Sequence, residues 1–529
     1  MRDYLQRHTN PPVFIISALV VLAFLAGGVF FTGVTGRAAS AVQGFITTNF
    51  GWFYILGVSA LLIFVLALFP TRYGRVRLGP DDSRPEFSTT AWFAMLFTAG
   101  MGIGLVYFGV AEPMAHFTSP PVGQGGTGAA ARQAMNLTFF HWGLHPWAVY
   151  IVLGLALAYF GFRRGLPLKP AAAFYPLLGD RINGPIGHTV DILAVFGTLF
   201  GLATSLGIGA QQINAGLSSL FGIANTTGMQ ILLVALVTAV AVTSVMLGLD
   251  KGIRRLALGN MWLAVVLTVF VFAVGPTLFI LDSFGGNLGY YLQNLVGTSF
   301  NMFTLSESGE EWQAGWTLFY WGWWISWSPF VGMFIARISY GRTIREFILG
   351  TLFAPVGASF VWFTVFGETA LNAELFGAGG IADAGTSNAL FVLLRQLPVS
   401  GAFSVLASVL AIVVVVLFFA TSSDSGSLVV DMLTNGGDPH PRRGQRLFWA
   451  VTEGAVAAVL LLVGGLTALQ TASITAGLPF LVVLLVMCYS LAKGLQQERP
   501  RSLVPELAAD LDADGDRQGR TEPAEAPST

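Results

Sequence analysis

The chain has 529 residues, of which 54% are hydrophobic and only 10% charged, and its mean hydropathy is +0.69. A soluble domain carries about 25% charged residues, so this composition excludes an ordinary soluble enzyme or binding module and indicates a bilayer protein. The net charge of −1 gives no field for nucleic acid, and the single cysteine, Cys488, excludes an intrachain disulfide.

A membrane helix needs about 20 apolar residues. Such spans are expected at 13–33, 51–70, 88–110, 137–160, 187–218, 229–247, 257–281, 315–337, 344–366, 401–434, 446–466 and 470–492. The leading MRDYLQRHTNPP is followed by no cleavage-site pattern, so the first run reads as a retained helix. With twelve spans and a cytoplasmic N-terminus, the external segments hold only Arg37, Arg132 and Arg395, and 24 of the 27 Lys and Arg fall inside. That meets the positive-inside rule at every loop and predicts both termini in the cytoplasm. Expected units are 1–87 with two peripheral spans, 88–281 with five spans, and 282–314 as an external segment holding an amphipathic helix near 284–302. A second set of five spans at 315–492 and an acidic, disordered cytoplasmic tail at 493–529 complete the chain.

Two spans are expected to be irregular. The third contains TAGMGIGLVYFG, with Gly100, Gly102, Gly104 and Gly109, each costing a helix about 1 kcal/mol relative to alanine. The eighth carries Ser326, Ser328, Pro329 and Gly332, and Pro329 removes a backbone donor. Taken singly, the glycines fit a close helix crossing and the proline a simple kink. Taken together, each interruption opens a set of five spans, and the two run in opposite directions. That is the pattern of an inverted-repeat transporter with its site at the unwound stretches.

Five tryptophans, Trp316, Trp321, Trp323, Trp324 and Trp327, crowd the eighth span. An interfacial belt accounts for Trp316 and Trp321; the other three lie deeper. The fourth span adds FFHWGLHPWAVY, with Trp142, Trp147 and Tyr150. Aromatic faces hold a quaternary ammonium, which has no N–H to donate. A carboxylate on the same ligand would sit against free N–H groups of Gly100–Gly104. A zwitterion suits a pocket in which no buried counter-charge is evident from sequence.

AGMGIGLVYFGVAEP, FFHWGLHPWAVY, WTLFYWGWWISWSPFVGMFIARISYGRTIREFILG and FFATSSDSG together resemble the betaine/carnitine/choline transporter family over about residues 10–495. The resemblance implies an all-α membrane protein of twelve transmembrane helices. Its fold would be the leucine-transporter type, a 5+5 inverted repeat behind two peripheral N-terminal helices, usually assembled as a homotrimer. It assigns the aromatic box to Trp142, Trp147, Tyr150 and Trp327. Trp323 and Trp324 fall on the access path or second face, Phe334 below the site. The substrate-touching backbone is Ala99, Gly100, Met101, Gly102 and Gly104. It further implies a Na+ site from the carbonyls of Thr98, Met101 and Phe418 and the hydroxyls of Thr421 and Ser422, a set of oxygens suited to a hard cation. The alternative reading of Thr421 and Ser422 is that they satisfy their own helix backbone.

Within that resemblance, residues 192–216 lack Lys and Arg, and Val331 and Gly104 stand where sodium-independent exchangers and proton-coupled choline carriers have methionine and aspartate. Both departures favour sodium-coupled uptake of glycine betaine into a bacterium across its inner membrane. Thr198 matches one threonine of a second sodium site but Leu202 replaces the other, which leaves the stoichiometry open. Asp424 is read as support for the ion site, His141 and His145 as packing residues, and Glu112 as a gate or cap. Rival readings are proton-coupled choline uptake or transport of a related trimethylammonium or sulfonium compound, and a sensor, which would be expected to carry a soluble signalling domain. No channel-forming ring or catalytic cluster is visible, and no cofactor is implied.

Overall fold

The apolar runs expected to span a membrane are predominantly helical in the computed structural model, which describes residues 9–100, 102–247, 250–438 and 442–498. Among the described residues there is no strand beyond one antiparallel bridge between Arg77 and Thr343. The α-helices of nine or more residues are α1 (Pro11–Phe30), α2 (Thr32–Leu68), α3 (Thr89–Gly100), α4 (Ile103–Thr118), α5 (Gly128–Trp142), α6 (Leu144–Ala158), α7 (Pro185–Phe221), α8 (Thr227–Leu247) and α9 (Asp250–Val274). They continue with α10 (Thr277–Phe300), α11 (Glu307–Gly315), α12 (Thr317–Arg337), α13 (Ile344–Phe363), α14 (Gly401–Thr434) and α15 (Arg443–Gln496). Nine helices among the described residues are long and apolar enough to cross a membrane. The remaining expected spans are the broken third, the indole-rich α12, and one of the two joined in α15. The fold is thus the all-helical, twelve-span membrane architecture expected from sequence. The acidic tail expected after 493 lies, from 499 on, outside the described residues.

Burial separates centre from periphery. α1 exposes Leu19, Val20, Leu22 and Phe30, an apolar surface suited to lipid, whereas every residue from His145 to Ala158 on α6 is buried. α6 packs on α12, and α7 packs on α14 and α15. The central cavity is lined by α4, α6, α7, α12 and α14, and α15 braces α7 from outside it. The second span begins earlier than its hydropathy implies: α2 runs from Thr32 through a polar first half that includes Arg37, Gln43 and Asn49.

The third span breaks as its glycines predict. α3 ends at Gly100 and α4 starts at Ile103, with Gly102 extended between them (φ −162°, ψ −178°). The eighth does not break, which corrects the expected interruption at Pro329. α12 is helical throughout, because Ser328 Oγ donates to the Ile325 carbonyl (2.7 Å), the acceptor that Pro329 leaves without an amide. The fourth span breaks instead, at Gly143 (φ −95°, ψ −129°). A Cβ there would lie 2.4 Å from the Phe139 carbonyl oxygen, so glycine permits the approach. Tyr291 of α10 supports this break by accepting from the Leu144 amide (3.3 Å). α15 bends at Gly464 and Gly465, and Gly465 has the left-handed φ (+60°) that glycine tolerates.

Two loops on the face where α12 ends are laced together. Leu78 N–H donates to the Arg342 carbonyl (2.8 Å), Gly341 N–H to the Leu78 carbonyl (2.8 Å) and Ile344 N–H to the Val76 carbonyl (2.9 Å). The loop leading into the broken third span is thereby fastened to the end of the aromatic-rich α12.

Candidate binding site

A cavity of about 770 Å³ lies between the broken third span, α6, α12 and α14. Of the residues singled out from sequence, it brings together Gly102, Gly104, Trp142, Trp147, Tyr150, Trp323, Trp324, Trp327, Phe334, Phe418, Thr421 and Ser422. Met101 lies outside the described residues; Thr98, Ala99 and Gly100 end α3, and their roles rest on sequence alone. Exposed Glu86 and Arg337 also line the cavity, so it opens on the face bearing the laced loops.

The opposite end is closed by indoles. Trp323 and Trp324 stack (4.7 Å between centroids, 14° between planes), and Trp142 meets Trp324 edge-on at 4.8 Å. Trp147 and Tyr150 form a second edge-to-face pair at 5.3 Å, with Tyr150 6.4 Å from Trp324. Trp327 stands apart, half-buried, with Phe330 as its ring neighbour at 5.0 Å. The box expected to include Trp327 as one wall of four is therefore a closed Trp142–Trp323–Trp324 cluster with Trp147–Tyr150 beside it and Trp327 lower in the cavity.

Buried indoles need acceptors for their N–H groups, and the polar atoms nearby explain how α12 holds so many. Trp323 donates to the Gly201 carbonyl (3.2 Å), Trp324 to the His141 carbonyl (2.9 Å) and Trp142 to Glu112 Oε2 (2.7 Å). Glycines supply the space: a Cβ on Gly104 would sit 2.7 Å from Trp323 and 2.8 Å from Trp142, and one on Gly201 3.0 Å from the Trp327 amide nitrogen.

Glu112 occupies a different place from the gate or cap read in sequence. It is fully buried, and His141 Nδ1 (2.7 Å), His116 Nε2 (3.3 Å), Trp142 Nε1 and the Tyr320 hydroxyl converge on its two oxygens. An acid inside an apolar span is the signal that marks such a residue; His116 is one turn along the same helix, and the other partners come from two other segments, α5 and α12, and are invisible to local sequence. His141 also pairs with Thr317 Oγ1 (2.9 Å) and is satisfied as expected. His145 is not: it stacks on Trp321 (18° between planes), and neither ring nitrogen has a hydrogen-bond partner among the described residues.

On α14, the Thr421 hydroxyl donates to the Leu417 carbonyl (2.8 Å) and contacts that of Phe418 (3.2 Å), so its proton is held by its own helix while its oxygen faces the cavity region. Asp424 pairs with Arg446 of α15 (3.0 Å), a structural bridge between two spans. Leu202, which stands where a second threonine was sought, packs on Gly426, and a Cβ there would lie 2.3 Å from Leu202 Cδ2. Thr198 donates to the Ala194 carbonyl of its own helix (2.8 Å).

Comparison with known proteins gives a consistent set. The profile of the betaine/carnitine/choline family transporters matches residues 12–500. The chain is 46% identical over 494 residues to a probable glycine betaine transporter of Desulfitobacterium hafniense, covering 92% of this chain and 98% of that one. It is 45% identical to a glycine betaine transporter of Bacillus subtilis, covering 93% and 96%. It is also 44% identical to a glycine betaine/proline/choline transporter of Vibrio parahaemolyticus, covering 92% and 90%.

Proposed function

Because the chain belongs to the betaine/carnitine/choline family of membrane transporters, we propose that it takes up a quaternary-ammonium compatible solute, glycine betaine, by sodium-coupled symport. The observation that carries the substrate is the cavity, whose closed end is a cluster of three indoles and whose side wall is the Trp147–Tyr150 pair. Aromatic faces attract a trimethylammonium group by about 0.5–2 kcal/mol each. The extended backbone at Gly102, on the same cavity, offers the N-terminal end of α4 to the ligand carboxylate.

The coupling ion is proposed from the same cavity. Phe418, Thr421 and Ser422 line it together with Gly102, so an ion among their oxygens and the end of α3 would bind the broken span to α14. Sodium is cargo in this scheme, moving with the solute down its own gradient. The loop charges favour an N-terminal side facing the cytoplasm of a bacterial inner membrane, so the cavity is drawn open inward. The homotrimer is likewise proposed by family resemblance.

One observation favours the proton-coupled alternative. Glu453 on α15 is fully buried, and neither of its carboxylate oxygens has a hydrogen-bond partner among the described residues. Uptake of labelled betaine and choline into proteoliposomes decides between the readings. An inward sodium gradient driving betaine accumulation supports the proposal; choline uptake driven by a proton gradient alone replaces it.

A further inference from the structure

We propose that Glu112 is a positioning residue and the remote counter-charge of the binding cavity, and that it sets the preference for a quaternary ammonium over an uncharged group of the same shape. This rests on the substrate reading above. Glu112 does not line the cavity; Trp142 stands between, touching the cavity with its ring and Glu112 with its N–H.

Hydrogen bonding favours an ionised carboxylate. Trp142 is a donor only. Trp312 donates to His116 Nδ1 (3.3 Å), which leaves the His116 proton on Nε2, facing Glu112 Oε1. Tyr320 donates its hydroxyl to Oε2. The Thr317 hydroxyl can donate to His141 Nε2, which turns Nδ1–H toward Oε1. Each carboxylate oxygen then accepts two bonds. Glu112, His116 and His141 bring their ligating atoms within 4.8 Å of one another, the spacing of a metal site, but these bonds already engage all three groups.

The same bonds position the cage. Glu112 fixes Trp142 and Tyr320 directly. It fixes His141 as well, whose main-chain carbonyl holds the Trp324 indole. Tyr320 in turn stacks on Trp324 at 5.6 Å. One negative charge therefore orients two of the three indoles at the closed end, Trp142 and Trp324, and lends them its field. In a low-dielectric interior that field acts over more than one side chain.

The test compares glycine betaine with 3,3-dimethylbutanoate, which has the same shape and carboxylate but carbon in place of the charged nitrogen. Binding of each to the purified full-length protein is measured by calorimetry, and the ratio of the two affinities isolates the ammonium charge. In Glu112→Gln the ratio falls on the order of tenfold, the effect of one unit charge at this remove. A role in packing alone lowers both affinities together and leaves the ratio unchanged, which overturns the proposal. Glu112→Asp keeps the charge and shortens the side chain, so its ratio stays near that of the wild type. A collapsed ratio in Glu112→Asp also overturns the proposal, and this arm decides if the glutamine variant does not fold. A folded wild type that binds no betaine sinks the substrate reading itself, before any variant is made.

Discussion

The Ser328 hydroxyl donates to the Ile325 carbonyl at 2.7 Å, one residue before the proline that removes the amide this carbonyl would have received. A side chain thus replaces a backbone donor, and α12 carries its tryptophans past Pro329 without unwinding. Loss of that donor leaves a buried carbonyl unpaired, at a cost of about 1–3 kcal/mol. Ser328→Ala is expected to lower the thermal midpoint in detergent. Adding Pro329→Ala restores it, because the new amide reaches the same acceptor. A single variant as stable as the wild type would show that the carbonyl has another partner.

Gly104 faces two indoles that are themselves anchored. A methyl at this position would press on Trp142 and Trp323 at 2.7–2.8 Å, and both rings are held by hydrogen bonds at their N–H groups. Gly104→Ala is expected to weaken betaine binding at least tenfold with helical content preserved. Gly102→Ala meets no atom within 4 Å of the added carbon and should cost less. Equal losses in the two variants would remove the cage from the explanation.

Trp327 and Trp324 separate binding from packing. Trp327 is half-buried beside Phe330, whereas Trp324 is stacked, met edge-on and hydrogen-bonded to His141. Trp327→Leu is expected to weaken betaine binding by about 2 kcal/mol, near 30-fold, as one desolvated cation–π contact is lost, without moving the thermal midpoint. Trp324→Leu lowers both. Unchanged affinity in Trp327→Leu would place the ammonium at the indole cluster alone.

Much of this site was legible in the sequence because the chemistry is carried by rare residues. Tryptophans at 142, 147, 323, 324 and 327 inside apolar runs have few uses, and the cavity gathers all five. The glycines of the third span announced a real break. What escaped was decided by partners distant in the chain. Pro329 looks like an interruption until Ser328 is seen to fill its bond, and Gly143 looks harmless until Tyr291, from another helix, is seen to hold the amide after it. Glu112 reads as a cap at a span's end because its Tyr320 partner is 208 residues away.

Beyond the last span, Glu498 ties the end of α15 to the fourth span. Its oxygens accept from Arg163 Nη2 (2.7 Å) and from the Tyr159 hydroxyl (2.7 Å). Partial burial pushes its carboxyl up, but these bonds and the charges of Arg163 and Arg164 outweigh it and hold the group below the usual carboxylate range. A depressed folded value means stability that is present above the unfolded value and lost as pH falls through the folded one. The thermal midpoint of the wild type should therefore drop more steeply below the ordinary carboxylate range than that of Glu498→Gln. Parallel acid profiles would remove this contact from the pH response.

The last expectation concerns coupling. Symport requires that ion and solute binding be linked, and linkage is reciprocal. The proposed ion position lies between the end of α3 and the Thr421–Ser422 pair of α14, while the solute sits against the break that follows α3. An ion there would fix the bend of the third span and so pre-form the solute site. Sodium should raise betaine affinity, and betaine should raise sodium affinity by the same factor. Thr421 spends its proton on its own helix, which leaves its oxygen lone pairs as the donors toward a cation. Thr421→Ala combined with Ser422→Ala should therefore abolish the sodium dependence while a weak betaine affinity survives, since no aromatic contact is removed. The measurement is betaine binding to purified protein across sodium concentrations at fixed ionic strength. A wild-type affinity indifferent to sodium and steep in pH would transfer the coupling to a proton, with Glu453, whose carboxylate has no hydrogen-bond partner among the described residues, as the first group to replace.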